Sequence, residues 1–123
     1  MNFIDSNIIA YAFYENEHQE HCQNALREGG ITNTIVLVEA FNIIEHQTSK
    51  EHAKEAIRSL LKAGIRIINT DVNLVFETLK RSEKTLRFID LLHYTTALLN
   101  ECEVILSYDK DFNKLIIPRK EPS

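Results

Sequence analysis

Short apolar runs alternating with amphipathic, helix-like segments predict an α/β fold, with a mainly parallel sheet covered by helices. Three observations carry this. The apolar runs at Phe3–Ile4, in AGIRII and in VIL at residues 104–106 have the length of buried strands. The segments between them carry helical periodicity and polar caps. Finally, a chain of 123 residues with 44% hydrophobic composition can build one compact core, so residues 1–123 are expected to form a single domain.

Each element follows from its local composition. The opening MNFID places Phe3 and Ile4 in a short buried strand, with Asp5 at its C-terminal end. Asp5, Ser6 and Asn7 then offer polar caps to a helix starting in IIAYAF. A second helix is expected over residues 17–28, and Gly29 and Gly30 allow a sharp exit from it. No phosphate-loop signature surrounds those glycines, so they read as a turn. The segment from Thr32 to His46 begins with an apolar block compatible with a strand, but its length and the spacing of Phe41, Ile43 and Ile44 favour a helix, which would carry Glu39.

Ser49 is a suitable cap for a helix over residues 50–62, where Ala53, Ala56, Ile57, Leu60 and Leu61 supply an apolar stripe. Gly64 can end that helix before AGIRII turns into a strand. Val72, Val75, Phe76 and Leu79 predict an amphipathic helix over residues 71–84. Another is expected over residues 88–100, on Ile89, Leu92, Ala97, Leu98 and Leu99. After the VIL strand, SYDKDF starts a polar turn and a short helix.

The formal net charge of −4 argues against a broadly basic nucleic-acid surface. A local basic segment remains: Lys110, Lys114, Arg119 and Lys120 form either a phosphate-contact region or a solvated tail. No apolar run reaches the roughly 18 residues of a membrane span, and no basic segment leads into a secretory hydrophobic stretch. A cytoplasmic protein without membrane association is therefore expected. Cys22 and Cys102 form no metal or redox motif and are expected to be reduced and partly buried.

Four acids occupy informative boundaries. Asp5 follows the first strand and Asp109 the late one, where parallel sheets place ligand-facing loops; Glu39 and Asp90 can reach the same crevice from helices. Each also has an ordinary use. Asp5 can cap its helix, Glu39 can sit on a solvated or internally paired face, Asp90 can favour a helix dipole, and Asp109 can serve a turn. His93, three residues after Asp90, suits a structural or orienting role. His18 and His21 share a helix face but lack a third ligand, so they do not define a zinc site. Tyr14, Tyr94, Tyr108 and the phenylalanines are expected to pack.

Four segments, in order, resemble the PIN-domain nuclease family, particularly its VapC-type toxins. FIDSNIIAYAF is similar to the family's opening strand, acid and Ser/Thr-Asn start, and IVLVEAFNII to the segment carrying the second acid. FIDLLHYTTAL resembles the third acidic helix, and VILSYDKDF the late strand and acidic turn. The resemblance implies a three-layer α/β/α PIN-like fold with a central, mainly parallel sheet. It also implies a metal-dependent endoribonuclease. Asp5, Glu39 and Asp90 match the first three acidic positions and Asp109 the late one, with Asp111 a nearby alternative or auxiliary ligand. Ser6, Asn7 and Ser107 match polar positions that orient acids or coordinated water.

The implied cofactor is Mg2+ or Mn2+, one or two ions per site. Carboxylate oxygens are hard ligands for either, and a cation offsets the repulsion within such a cluster. The implied partners are an RNA substrate, a small protein antitoxin and a second copy of the chain, for which apolar helix surfaces between residues 20 and 60 offer an interface. The alternative is a catalytically inactive PIN-like RNA-binding or interaction scaffold.

Overall fold

A computed structural model describes residues 1–81 and 86–123. Among these residues, the sheet contains β1 (Asn2–Ile4), β2 (Gly30–Asn33), β3 (Ile65–Ile68), β4 (Val104–Leu106) and β5 (Arg119–Lys120). Their spatial order is β3-β2-β1-β4-β5, and every pairing is parallel. The helices are α1 (Ser6–Tyr11), α2 (Gln19–Glu28), α3 (Thr34–Gln47), α4 (Lys50–Lys62), α5 (Val72–Leu79) and α6 (Phe88–Leu99).

Strand order decides how the helices are layered. The chain steps outward from β1 to β2 to β3, then returns past β1 to β4. Right-handed crossovers require the connections made on the outward steps and on the return to cover opposite faces of the sheet. The helix packing divides accordingly: α1 packs against α2 and α3, and α3 against α4, while α5 packs against α6. The result is the expected α/β/α sandwich. Phe3, Ile4, Ile31 and Ile105 from the sheet, with Ile8 and Ile44 from the helices, are fully buried in its core.

Several helix ends match the sequence signals. Ser49 accepts the His52 backbone N–H at 3.1 Å and caps α4, and Gly29, at φ 84°, ends α2. Three expectations need correction or bounding. The predicted helix from Thr32 to His46 does not begin at Thr32: β2 occupies Gly30–Asn33, and Asn33 caps α3. The strand prevails because it lies between β1 and β3, where Thr32 Oγ1 also donates to the Ile4 carbonyl at 2.8 Å. Arg119 and Lys120 are not a free tail but an edge strand, held by the Ile105 N–H on the Pro118 carbonyl and the Ser107 N–H on the Lys120 carbonyl. The helix predicted over residues 71–84 is observed as Val72–Leu79, and residues 82–85 of that span lie outside the described residues.

Candidate active site and metal centre

The strand order reverses at β1, and in an open parallel sheet the usual ligand position at such a reversal is beyond the C-terminal ends of the strands, here β1 and β4. Asp5 leaves β1 there and Ser107 leaves β4. Ser107 Oγ donates to Asp5 Oδ2 at 2.6 Å, and Asn7 Nδ2 donates to the same oxygen at 3.3 Å. The Ser6 backbone N–H donates to Asp5 Oδ1 at 2.8 Å, so Asp5 also caps α1. Asn7 Oδ1 accepts the Tyr108 N–H at 3.2 Å, and Ser107 Oγ accepts the Asp109 N–H at 2.9 Å. Residues from the two strand ends are thereby tied into one network.

A second chain of contacts reaches the site from β2. Asn33, the last residue of that strand, accepts the Val36 N–H at 2.9 Å and so caps α3. Its amide nitrogen lies 3.1 Å from His93 Nδ1 and 3.0 Å from Thr96 Oγ1 on α6. His93 Nε2 in turn lies 2.7 Å from Glu39 Oε1, on α3. His93 is buried, whereas Glu39 is part-exposed and lies close to Asp5.

Two acidic groupings result. Asp5, Glu39 and His93 each offer one ligand-type atom within 4.8 Å of the others, as do Asp90, Asp109 and Asp111. Burial pushes the Asp5 carboxyl above the usual carboxylate range; the Ser107 hydroxyl and the Ser6 N–H oppose this, and Glu39 adds to it. Burial likewise pushes Asp90 up, with the nearby Arg87 opposing and the charges of Asp109 and Asp5 adding to the rise. The two groupings therefore feel one another electrostatically. Arg87 Nε approaches Asp90 Oδ2 at 3.5 Å from an exposed position just before α6.

Buried, mutually repelling carboxylates form an unfavourable arrangement for a metal-free core. They suit a hard divalent cation, which would lower the cost of every carboxylate around it. The donor set thus fits Mg2+ or Mn2+. It lacks the thiolates that softer metals favour.

The sequence model of the PIN domain matches residues 3–117. The chain belongs to the PIN-domain family. Solved PIN-like structures resemble it over nearly its whole length. VapC20 of Mycobacterium tuberculosis, described as a sarcin–ricin-loop-cleaving toxin, aligns with a TM-score of 0.76 at 14% identity, covering 91% of this chain and 92% of that one. A toxin–antitoxin complex from Klebsiella pneumoniae gives 0.74 at 18% identity, covering 100% and 98%. VapBC2 from Rickettsia felis, bound to a promoter DNA fragment, gives 0.70 at 17% identity, covering 99% and 98%. No curated protein sequence matches the chain.

This PIN domain places the acids singled out in its sequence in two groupings, Asp5 with Glu39 and Asp90 with Asp109 and Asp111. Ser107 and Asn7 contact Asp5 through their side chains, while Ser6 contributes its backbone N–H. Asp109 caps the 3₁₀ turn Lys110–Phe112 by accepting the Asp111 N–H at 2.9 Å, and Asp111 itself is exposed. Asn33 and Thr96 were not anticipated. Asn33 just before an apolar helical run is a recognisable cap signal, but it was hidden by the helix expected to start at Thr32. Of the basic residues near the end, Arg119 is engaged by the Ser107 carbonyl, Asn113 and Glu121. Both cysteines are buried and free.

Proposed function

We propose that this PIN domain is a metal-dependent endoribonuclease that hydrolyses RNA phosphodiester bonds as the toxin of a toxin–antitoxin pair. The observation supporting the proposal is a pair of neighbouring groupings, Asp5 with Glu39 and His93 and Asp90 with Asp109 and Asp111, close enough that the charge of Asp5 bears on Asp90, with burial raising both Asp5 and Asp90. Asp5, Glu39, Asp90 and Asp109 would hold one or two Mg2+ or Mn2+ ions, with Asp111 an auxiliary acid at the rim. Bound there, the cation would make water a stronger nucleophile and neutralise charge on the phosphate and the leaving oxygen.

The chain's own groups set the conditions for that chemistry. Ser107 and Asn7 hold Asp5 Oδ2, and the α1 cap holds Oδ1, so this carboxylate has little rotational freedom. Arg87, 77% exposed and tethered only weakly to Asp90, is available to a substrate phosphate at the site's edge. The hydrolysis adds water across one P–O bond, leaving a phosphate on one RNA fragment and a hydroxyl on the other.

The toxin assignment is supported by the likeness to solved VapC and VapBC structures. It brings with it a small antitoxin partner, a homodimer and a cytoplasmic setting. Among the described residues, no helix is long and apolar enough to cross a membrane.

The test is cleavage of a defined set of structured RNAs by metal-free protein, before and after addition of Mg2+ or Mn2+. Folded Asp90→Asn prepared in parallel controls for contaminating nuclease. Metal-restored cleavage is expected in the wild type, with a loss on the order of 10²-fold or more in the variant, the scale of removing one electrostatic stabiliser from an active site. RNA binding without turnover, in either metal, would instead favour an inactive binding scaffold.

A further inference from the structure

We infer that His93 is a positioning residue, whose Nε2–H holds Glu39 Oε1 and leaves Oε2 as the oxygen that this carboxylate presents to a cation. The cation belongs to the nuclease reading above. The histidine's part stands on hydrogen-bond geometry alone.

The direction of the chain of hydrogen bonds is set by backbone. The Val36 N–H needs an acceptor, and Asn33 Oδ1 supplies it at 2.9 Å. That fixes the amide's orientation, so its nitrogen faces His93 Nδ1 at 3.1 Å and Thr96 Oγ1 at 3.0 Å. Thr96 Oγ1 donates its own proton to the Leu92 carbonyl at 2.9 Å, leaving only a lone pair for Asn33. With one amide hydrogen directed to Thr96, the other goes to Nδ1, which must accept it. The imidazole proton therefore resides on Nε2, 2.7 Å from Glu39 Oε1.

This assignment separates three roles that proximity alone leaves mixed. His93 lies within the grouping formed with Asp5 and Glu39, at ligand-like separations. A metal ligand or a general base needs a free ring lone pair, and neither nitrogen has one: Nδ1 uses its own on Asn33, and Nε2 carries the proton. The ring is buried beside Phe3, with centroids 6.0 Å apart, which restricts its rotation. Its remaining use is to orient Glu39, in the way that partners outside a coordination shell orient the ligands within it. The cap of α3 thereby fixes, through a residue on α6, the direction of a carboxylate less than two turns along α3 itself.

The test begins with long-range 1H–15N spectra of the 15N-labelled, metal-free wild type, with His93 signals assigned by their absence in His93→Gln. A protonated Nε2 and an unprotonated Nδ1 are expected, unchanged on addition of Mg2+. Mn2+ affinity is then measured for folded variants. His93→Gln, which retains an N–H able to reach Glu39, is expected to bind near the wild-type level, and His93→Leu about 10- to 100-fold more weakly. A proton on Nδ1, loss of the Nε2 proton when Mg2+ binds, or wild-type affinity in His93→Leu would overturn the positioning role. If His93→Leu does not fold, the spectra of the wild type decide. An Nδ1 proton in an enzyme that cleaves RNA removes this inference and leaves the nuclease reading standing. A wild type that keeps the Nε2 proton but neither binds Mn2+ nor cleaves RNA removes the nuclease reading, and with it the cation held by Glu39.

Discussion

At the scale of single residues, Asp90 shows what the site costs the protein before it binds anything. Burial and the charges of Asp109 and Asp5 outweigh Arg87 and raise its pKa in the folded state. An acid raised in this way binds more protons folded than unfolded, so it lowers stability as pH rises from the unfolded value, about 3.9, through the folded one. The penalty is complete above that window. Asp90→Asn should therefore melt at a higher temperature than the wild type at pH 7 without metal, and this advantage should shrink as pH falls through the window. Scans in calcium-free, chelated buffer with and without Mg2+ would check both halves of the argument. At a concentration 100 times its Kd, Mg2+ should stabilise the wild type by about 2.7 kcal/mol, and the variant by much less. Equal melting temperatures in wild type and variant at every pH, with equal response to Mg2+, would show that Asp90 is neither strained nor a ligand.

At the scale of elements, what was legible depended on whether an element advertised itself in side chains. β1, β4 and α4 did, through short apolar runs or a capped apolar stripe. β2 did not, because GITN runs without punctuation into the apolar TIVLVEA of α3, and only the sheet on both sides of it reveals the boundary at Asn33. β5 is formed by Arg119 and Lys120, whose strand character resides in backbone pairing with β4 rather than in side-chain pattern. Gly30 makes the dependence of β2 on its neighbours testable. Its φ is 155°, and an added Cβ would sit 2.7 Å from the Asn2 carbonyl oxygen and 2.9 Å from Ile4 Cδ1. The carbonyl belongs to the adjoining strand and cannot swing aside. Gly30→Ala should cost about 2–4 kcal/mol, combining backbone strain with overpacking, and move the urea midpoint down at nearly constant slope. A midpoint within error of the wild type would mean that β1 and β2 separate more easily than their packing suggests.

At the scale of the whole molecule, the candidate acids and the nearby Asn7, Ser107 and His93 were legible from their order and spacing along the chain, whereas Asn33 and Thr96 were not. Asn33, His93 and Thr96 meet only after β2, α3 and α6 have been arranged by the return crossover, a convergence that sequence spacing does not encode. The same assembly leaves apolar surface uncovered. Val38 is 58% exposed on α3 and Leu61 57% exposed on α4, and Val38 adjoins a shallow apolar hollow formed with Leu37, Phe41 and Ile57. Small chains bury a limited fraction of their surface, and association through such a face is a direct way to bury more. If the proposed homodimer uses it, Val38→Asp should leave the monomer fold intact, since the side chain is mostly exposed, while placing an unpaired charge in the interface. A penalty of about 1.4 kcal/mol or more corresponds to at least a tenfold weaker dimer. Sedimentation equilibrium over a wide concentration range would resolve that shift, with circular dichroism confirming the fold. A wild type that remains monomeric throughout, or a variant that dimerises equally well, would exclude this face as the subunit interface.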